Sequence, residues 1–193
     1  MKLIAGLGNP GPKYEITRHN AGFLAADRLI DAWQAIGPQI SNQGEVYQAT
    51  VAGEKVLIVK PRTYMNLSGR CLAPIFKFYK CEPSDLIVIH DDLDLPSVSL
   101  RIKTGGGNGG HNGLKSIDSS LGAGLLNYHR IRIGIGRPEP GSPVATVDYV
   151  LQQFSDQELN AMDLLLDKAV KAAELLIRGQ AEAAMNEFNV RGK

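Results

Sequence analysis

The chain has 193 residues, 44% of them hydrophobic and 21% charged, and its 21 basic and 20 acidic side chains leave a formal net charge of +1. Intrinsic disorder requires low hydrophobicity with high net charge, and a membrane span requires about 18 or more consecutive apolar residues; the sequence shows neither pattern. The composition predicts one soluble globular domain over residues 1–193, long enough to bury a core.

Lys2 to Leu7 reads as a first strand, and its single charge followed closely by glycine is not the layout of a secretory signal, so a cytoplasmic protein is expected. A loop rich in Gly and Pro runs on through His19. From about Asn20 to Ile36 the residues Phe23, Leu24, Leu29, Ile30 and Trp33 recur at helical spacing, and Gly37-Pro38 stops the run. Glu45 to Val51 alternates like a strand, Ala52-Gly53-Glu54 turns, and Lys55 to Lys60 completes a hairpin, which places an antiparallel element in the sheet. Tyr64 to Tyr79 reads as a helix with Pro74 near its first turns or at a kink. Leu86 to Ile89 is an all-apolar run of the kind buried on both faces of a sheet, and it ends in His90-Asp91-Asp92.

Val98 to Lys103 is a further strand, and the glycine-rich stretch from Gly105 to Gly110 leads into a short helix opening near His111-Asn112. Arg130 to Ile135 alternates basic and apolar residues, which predicts one buried face and one face presenting Arg130 and Arg132. Ser155-Asp156-Gln157-Glu158 is a capping box opening a helix with Leu159, Met162, Leu166, Ala169, Ala173 and Leu176 in one stripe; Gly179 ends it. A short amphipathic segment closes the chain. Strands alternating with helices predict an α/β fold, a single domain with a twisted mixed β-sheet and helices on both faces. Cys71 and Cys81 fit neither a disulfide framework nor a CxxC site and read as packing residues.

The near-neutral total conceals an uneven distribution. Five basic and no acidic residues lie between Lys60 and Lys80, six basic against two acidic between Leu95 and Ala145, and five against seven from Leu151 onward. Such a chain can bind a polyanion on one face, although the same charges can simply solvate a surface.

Gly6-Leu7-Gly8-Asn9-Pro10-Gly11 has the form GxGxxG, but prolines and a long loop follow where a dinucleotide site needs a helix N-terminus. The later glycine run lacks the Lys-Ser/Thr of a phosphate-binding loop. More informative are the polar residues at strand ends: Asn9, Tyr14, His19 and Asn20; Tyr64, Met65 and Asn66; Asp91; and Asn112 at a helix start. Ligand sites in α/β sheets gather beyond the carboxyl ends of strands. With no GxSxG elbow and Cys71 inside a helix, no side-chain nucleophile is evident. A histidine activating water, an aspartate orienting it and neutral amides suit hydrolysis of an ester or amide. Taken alone, each of Asn9, Asn66 and Asn112 is more simply a turn or helix cap, and Asp91 an N-cap. His90, Asp91, Asp92 and Asp94 form a rival metal cluster, weakened because neighbours on a strand point to opposite faces.

Five segments taken together closely resemble the bacterial-type peptidyl-tRNA hydrolase family, in one order from residue 3 to about 190. They are Gly6-Leu7-Gly8-Asn9-Pro10-Gly11 with Tyr14 and Arg18-His19-Asn20-Ala21-Gly22; Lys60-Pro61 with Tyr64-Met65-Asn66-Leu67-Ser68-Gly69; His90-Asp91-Asp92-Leu93-Asp94; Gly109-Gly110-His111-Asn112-Gly113-Leu114-Lys115; and Arg130-Ile131-Arg132-Ile133-Gly134-Ile135-Gly136. The resemblance implies a cytoplasmic monomer that needs no cofactor or metal and no membrane. Its substrate would be peptidyl-tRNA, engaged at the acceptor stem and 3′ CCA end and cleaved at the ester to the terminal ribose. It also implies His19 as catalytic base and Asp91 as its partner. Asn9, Asn66 and Asn112 match the family's site amides, Tyr14, Tyr64 and Met65 line the cleft, His111 sits beside Asn112, and Lys103 and Arg132 match positions that take the tRNA's terminal phosphate. The segment from Pro138 to Thr146 lacks a lysine that some relatives carry. Two rivals stand beside this reading: a catalytically silent RNA-binding module and a metal-dependent hydrolase.

Overall fold

A computed structural model describes residues 1–189. Its strands are β1 (Lys2–Gly6), β2 (Ile36–Ser41), β3 (Gly44–Val51), β4 (Glu54–Pro61), β5 (Leu86–Asp92), β6 (Ser99–Thr104) and β7 (His129–Gly134). They form one sheet in the order β2-β3-β4-β1-β5-β7-β6. The central four, β4, β1, β5 and β7, run parallel, and antiparallel strands flank them at both edges. The helices are α1 (Ala21–Ala32), α2 (Ser68–Phe78), α3 (Asn112–Leu121), α4 (Thr146–Val150), α5 (Asp156–Ile177) and α6 (Ala181–Phe188). This is the expected α/β class, a mixed sheet with helices on both faces. Among the described residues no helix is long and apolar enough to cross a membrane.

The middles of β1, β4 and β5 (Leu3–Ala5, Val56–Val59 and Leu86–Ile89) are all apolar because both their faces are covered, whereas β7 alternates basic and apolar residues. Strand alternation sends Ile4, Ile58, Ile87 and Ile89 to the side packed by α1 and α5, and Leu3, Leu57, Leu86 and Val88 to the side packed by α2 and α3. At α5 the capping box forms as expected, Ser155 Oγ accepting the Glu158 N–H and the Glu158 carboxylate accepting the Ser155 N–H at 2.8 Å. Behind it Met162, Leu166, Ala169, Ala173 and Leu176 are buried.

Two glycines fix how closely the first helix sits on the sheet. A Cβ on Gly22 would lie 2.3 Å from the Ile89 carbonyl oxygen and 2.5 Å from Leu7 backbone atoms, and one on Gly6 would lie 2.4 Å from the Gly22 carbonyl oxygen. The start of α1 therefore rests on bare backbone at the carboxyl ends of β1 and β5. The residues just before it, Arg18–Asn20, form a 3-10 turn pressed against β5.

Three sequence expectations change. The first helix ends at Ala32, and Ile36–Ser41, with Gly37-Pro38 inside it, is the edge strand β2, paired to β3 with a register shift between Ile36 and Gln39. Pro lacks an N–H to donate, so an edge position with a bulge suits it. The second helix opens at Ser68, after a 3-10 turn at Met65–Leu67, which puts Pro74 in its interior. Its missing N–H costs the bond that the Arg70 carbonyl would otherwise receive. Arg130, expected on an open face, is only 2% exposed.

The close contact at Gly22 yields a test. Gly22→Ala should destabilise the fold by about 3 kcal/mol, lowering Tm by roughly 10 °C, because the methyl group meets backbone that cannot step aside. A thermal melt within about 2 °C of the unaltered protein would show that this contact does not set the position of α1.

Candidate active site

Because the central strands are parallel, their carboxyl ends share one edge, and the loops leaving β1, β4 and β5 meet the N-terminus of α3 there. Together they enclose a cavity of about 610 Å³. Every site residue singled out from the sequence lines it except Tyr14. Tyr14 ends a 3-10 turn at Pro12–Tyr14, where the Lys13 ammonium lies 4.8 Å from its ring centroid.

At the centre is the Asp91 carboxylate, 2% exposed. His19 Nδ1 lies 2.9 and 3.0 Å from its two oxygens, and His111 Nε2 lies 2.9 Å from Oδ1. An ionised carboxylate only accepts, so both imidazoles donate to it. For His111 the tautomer is fixed a second time, because it is the N-cap of α3 and its Nδ1 accepts from the Gly113 and Leu114 N–H groups. For His19, whose ring lines the cavity, the same logic leaves Nε2 carrying the lone pair. A third imidazole, His90, donates Nδ1–H to the Asp91 main-chain oxygen at 2.7 Å, while its buried Nε2 has no partner among the described residues. His19, His111 and His90 stand in a row with ring centroids 5.2 and 5.0 Å apart.

These contacts set the charge states. Burial raises the cost of an ionised Asp91, but the His19 and His111 imidazoles outweigh it and hold the carboxyl well below the usual range. Burial likewise opposes a charged His19, yet the Asp91 carboxylate prevails and raises its pKa above the ordinary 6.5. His90 goes the other way, pushed down to about 3 by burial and by His111. Cys71, away from the cavity, is a buried thiol pushed up to about 12 by desolvation, in keeping with a packing role.

Asn9 is held from three sides. Its N–H donates to Asn20 Oδ1 at 2.8 Å, its carbonyl accepts from Asn20 Nδ2 at 3.0 Å, and its side-chain oxygen accepts the Met65 N–H at 2.8 Å. With that oxygen taken, what Asn9 offers the cavity is its Nδ2 donor. Asn20, adjacent to His19, is the one residue of this lattice that sequence reasoning mentioned without assigning it to the site. The side chains of Asn66 and Asn112 are exposed and have no partner among the described residues.

The far end of the cavity is basic. Lys103 and Arg132 both line it, on adjacent antiparallel strands. Lys103 is exposed and has no ion-pair partner among the described residues. Arg130 was missed as a site element because alternation alone cannot show that a charged side chain is covered. Its guanidinium donates to the Gly107 and Gly106 carbonyls at 2.7 and 2.5 Å and stacks 4.9 Å from the Tyr128 ring centroid. It thereby holds the glycine loop, in which Gly105, Gly106, Gly109 and Gly110 all take positive φ.

A metal reading must contend with the same tautomers. His90, Asp91, Asp92 and Asp94 do not converge: His90 faces the Asp91 main chain, Asp92 bonds Arg132 and Asp94 bonds Arg137. The ligand atoms that do lie together, within 4.8 Å, belong to His19, Asp91 and His111. Ligation through His111 Nε2 would require its proton to move to Nδ1, where two backbone N–H groups already point. The α3 cap thus disfavours an ion in this triad.

The model of the peptidyl-tRNA hydrolase family matches residues 3–193. Peptidyl-tRNA hydrolase of Bacillus subtilis (strain 168) is 48% identical over 191 residues, covering 99% of this chain and all of that protein. That of Geobacter sp. (strain M21) is also 48% identical, over 98% of each chain. The crystal structure of peptidyl-tRNA hydrolase from Acinetobacter baumannii superposes with a TM-score of 0.90 at 40% identity, covering 98% of this chain and 95% of that one.

The Asp91 contact can be read directly by NMR titration of the imidazole signals. His19 should titrate above 6.5, and in Asp91→Asn it should titrate below the wild-type value, since burial then acts without an opposing carboxylate. An unshifted His19 titration in Asp91→Asn would remove the electrostatic link between the two.

Proposed function

The chain belongs to the peptidyl-tRNA hydrolase family, and we propose that it cleaves the ester between the peptide and the 3′-terminal ribose of tRNA with a water activated by His19. The observation that carries this reading is the pair of opposed roles on one imidazole that lines the cavity: Nδ1–H held by buried Asp91, and Nε2 left as a lone pair with no hydrogen-bond partner among the described residues. The water oxygen attacks the ester carbonyl while its proton passes to Nε2. The C–O bond to the ribose then breaks, the imidazolium returns the proton to the departing ribose oxygen, and the products are a peptide carboxylic acid and tRNA with a free hydroxyl. Asp91 stabilises the imidazolium between these steps. No step requires a metal ion or cofactor.

The amides supply recognition. Asn9 presents a donor fixed by the Met65 N–H, suited to a substrate carbonyl or to the oxyanion that forms from it. Asn66 and Asn112, each with a free donor and acceptor, suit the N–H and C=O of the peptide bond nearest the ester, with Tyr64 and Met65 as cleft walls. Lys103 and Arg132 are assigned to the terminal phosphate beyond the acceptor stem and CCA end. Tyr14 carries no step here. The enzyme is read as a cytoplasmic monomer.

His19→Ala should lower turnover of N-acetyl-aminoacyl-tRNA by about 10²-fold or more, with a smaller loss in Asp91→Asn; near-normal turnover in His19→Ala would end the mechanism. Chelator should leave turnover intact. A loss restored by zinc or manganese would favour the metal-dependent alternative, and tRNA binding without any turnover would favour the silent RNA-binding module.

Selectivity gives a sharper test. An aminoacyl-tRNA carries a charged ammonium where peptidyl-tRNA carries a neutral amide. The ammonium offers no carbonyl to the Asn donors, loses hydration on entry, and opposes the imidazolium at His19. Cleavage of the acetylated substrate should exceed that of the free aminoacyl form by orders of magnitude. Asn66→Ala or Asn112→Ala should narrow the gap by slowing the acetylated substrate more, and comparable wild-type rates on both substrates would contradict these amide roles.

A further inference from the structure

Adjacent side chains on a strand point to opposite faces, so Asp91 and Asp92 look into different neighbourhoods. Asp91 serves the imidazoles. Asp92 lies on the other face, beside β7, where His90 is register partner to Arg132 and Asp92 to Gly134, making Arg132 its diagonal neighbour. Asp92 Oδ2 accepts the Arg132 Nε–H at 2.7 Å, and Oδ1 accepts the Asp94 N–H at 2.9 Å. The carboxylate is therefore pinned at both oxygens. Arg132 is bonded only through Nε, and its two terminal nitrogens have no hydrogen-bond partner among the described residues. Both side chains line the cavity and are mostly buried, with exposures of 23% for Arg132 and 14% for Asp92.

We infer that Asp92 is the positioning residue of the phosphate end: it grips Arg132 by Nε and so presents the guanidinium's two terminal N–H groups to a tRNA phosphate beside Lys103. The inference rests on the assignment of Lys103 and Arg132 to that phosphate. An unanchored arginine has many rotamers and loses that freedom on binding, whereas an anchored fork is already placed. A carboxylate that merely competed with phosphate would occupy the fork itself; this one occupies the side nitrogen. Burial works against ionised Asp92, and the Arg132 hydrogen bond with the Asp94 N–H more than offsets it, holding its pKa below the usual range.

The test is a double-mutant cycle on N-acetyl-aminoacyl-tRNA, with melts confirming that each variant is folded. Arg132→Ala should raise KM about 10-fold, the loss of one charged hydrogen-bonding group. Asp92→Ala should raise KM by about half as much on a logarithmic scale, roughly 3-fold, with the effect falling on KM rather than kcat. Asp92→Asn, which keeps an oxygen for the Nε–H, should recover most of that loss. The pair Asp92→Ala with Arg132→Ala should be no worse than Arg132→Ala alone. If Arg132→Ala raises KM but Asp92→Ala leaves it unchanged or lowers it, Asp92 is a competitor or a bystander and the inference fails. Multiplying effects in the double variant, or Asp92→Asn as impaired as Asp92→Ala, would also overturn it. If Arg132→Ala itself leaves KM unchanged, the phosphate assignment fails first and the inference falls with it.

Discussion

The site depends on one buried negative charge. Removing the Asp91 carboxylate from water costs several kcal/mol, and the protein offsets that cost with two imidazole N–H donors, each charged hydrogen bond contributing about 1.5–3 kcal/mol. The donors come from far apart in the chain, one from the turn before α1 and one from the cap of α3. Each must be delivered within hydrogen-bonding range, so the packing of both helices is tied to the same carboxylate. The bare-backbone contact of Gly22 on Leu7 and Ile89 delivers the first, and the His111 cap delivers the second.

The same strand organises the other end of the cavity through simple alternation. Within two residues β5 passes from the carboxylate that serves the imidazoles to the one that grips Arg132. Beyond Arg132 lie Lys103 and the glycine loop. The Lys103 ammonium lies against the loop at Gly106, 2.6 Å from where a Cβ there would stand, and that glycine's positive φ of 84° is the conformation glycine adopts most readily. Arg130 holds that loop from beneath by two carbonyls, and the loop runs directly into His111. The basic end and the imidazole end of the cavity are consequently joined by a short stretch of backbone fixed at both of its ends.

Much of this was legible in the sequence because functional side chains interrupt otherwise regular patterns. The apolar run of β5 breaks at His90-Asp91-Asp92, and the turns after β1 and β4 carry amides where only turn residues are needed; these positions do converge. What stayed hidden depended on contacts that no local pattern encodes. β2 is exposed at every position but one and carries no alternation, so its pairing is set by β3 and not by its own residues. Arg130 sits in a strand whose alternation correctly divides apolar from basic residues, but whether the basic face is open depends on a loop more than 20 positions away in sequence. Asn20 looked like a helix start, and its work is to brace Asn9. The tautomers of three histidines follow only from their partners.

Those tautomers are what the proposed hydrolysis draws on. In the resting state Asp91 is satisfied by neutral N–H donors. In the proposed mechanism His19 becomes an imidazolium against that carboxylate, and because both groups are buried the ion pair is stabilised more than in bulk solvent. The negative charge left when water gives up its proton would develop on the ester oxygen, for which Asn9 offers a donor held in orientation by the bond from the Met65 N–H to its side-chain oxygen. His90, kept neutral by its burial, adds no competing positive charge beside this pair. On this proposal charge develops where partners already stand oriented, and little of the protein has to reorganise as it forms.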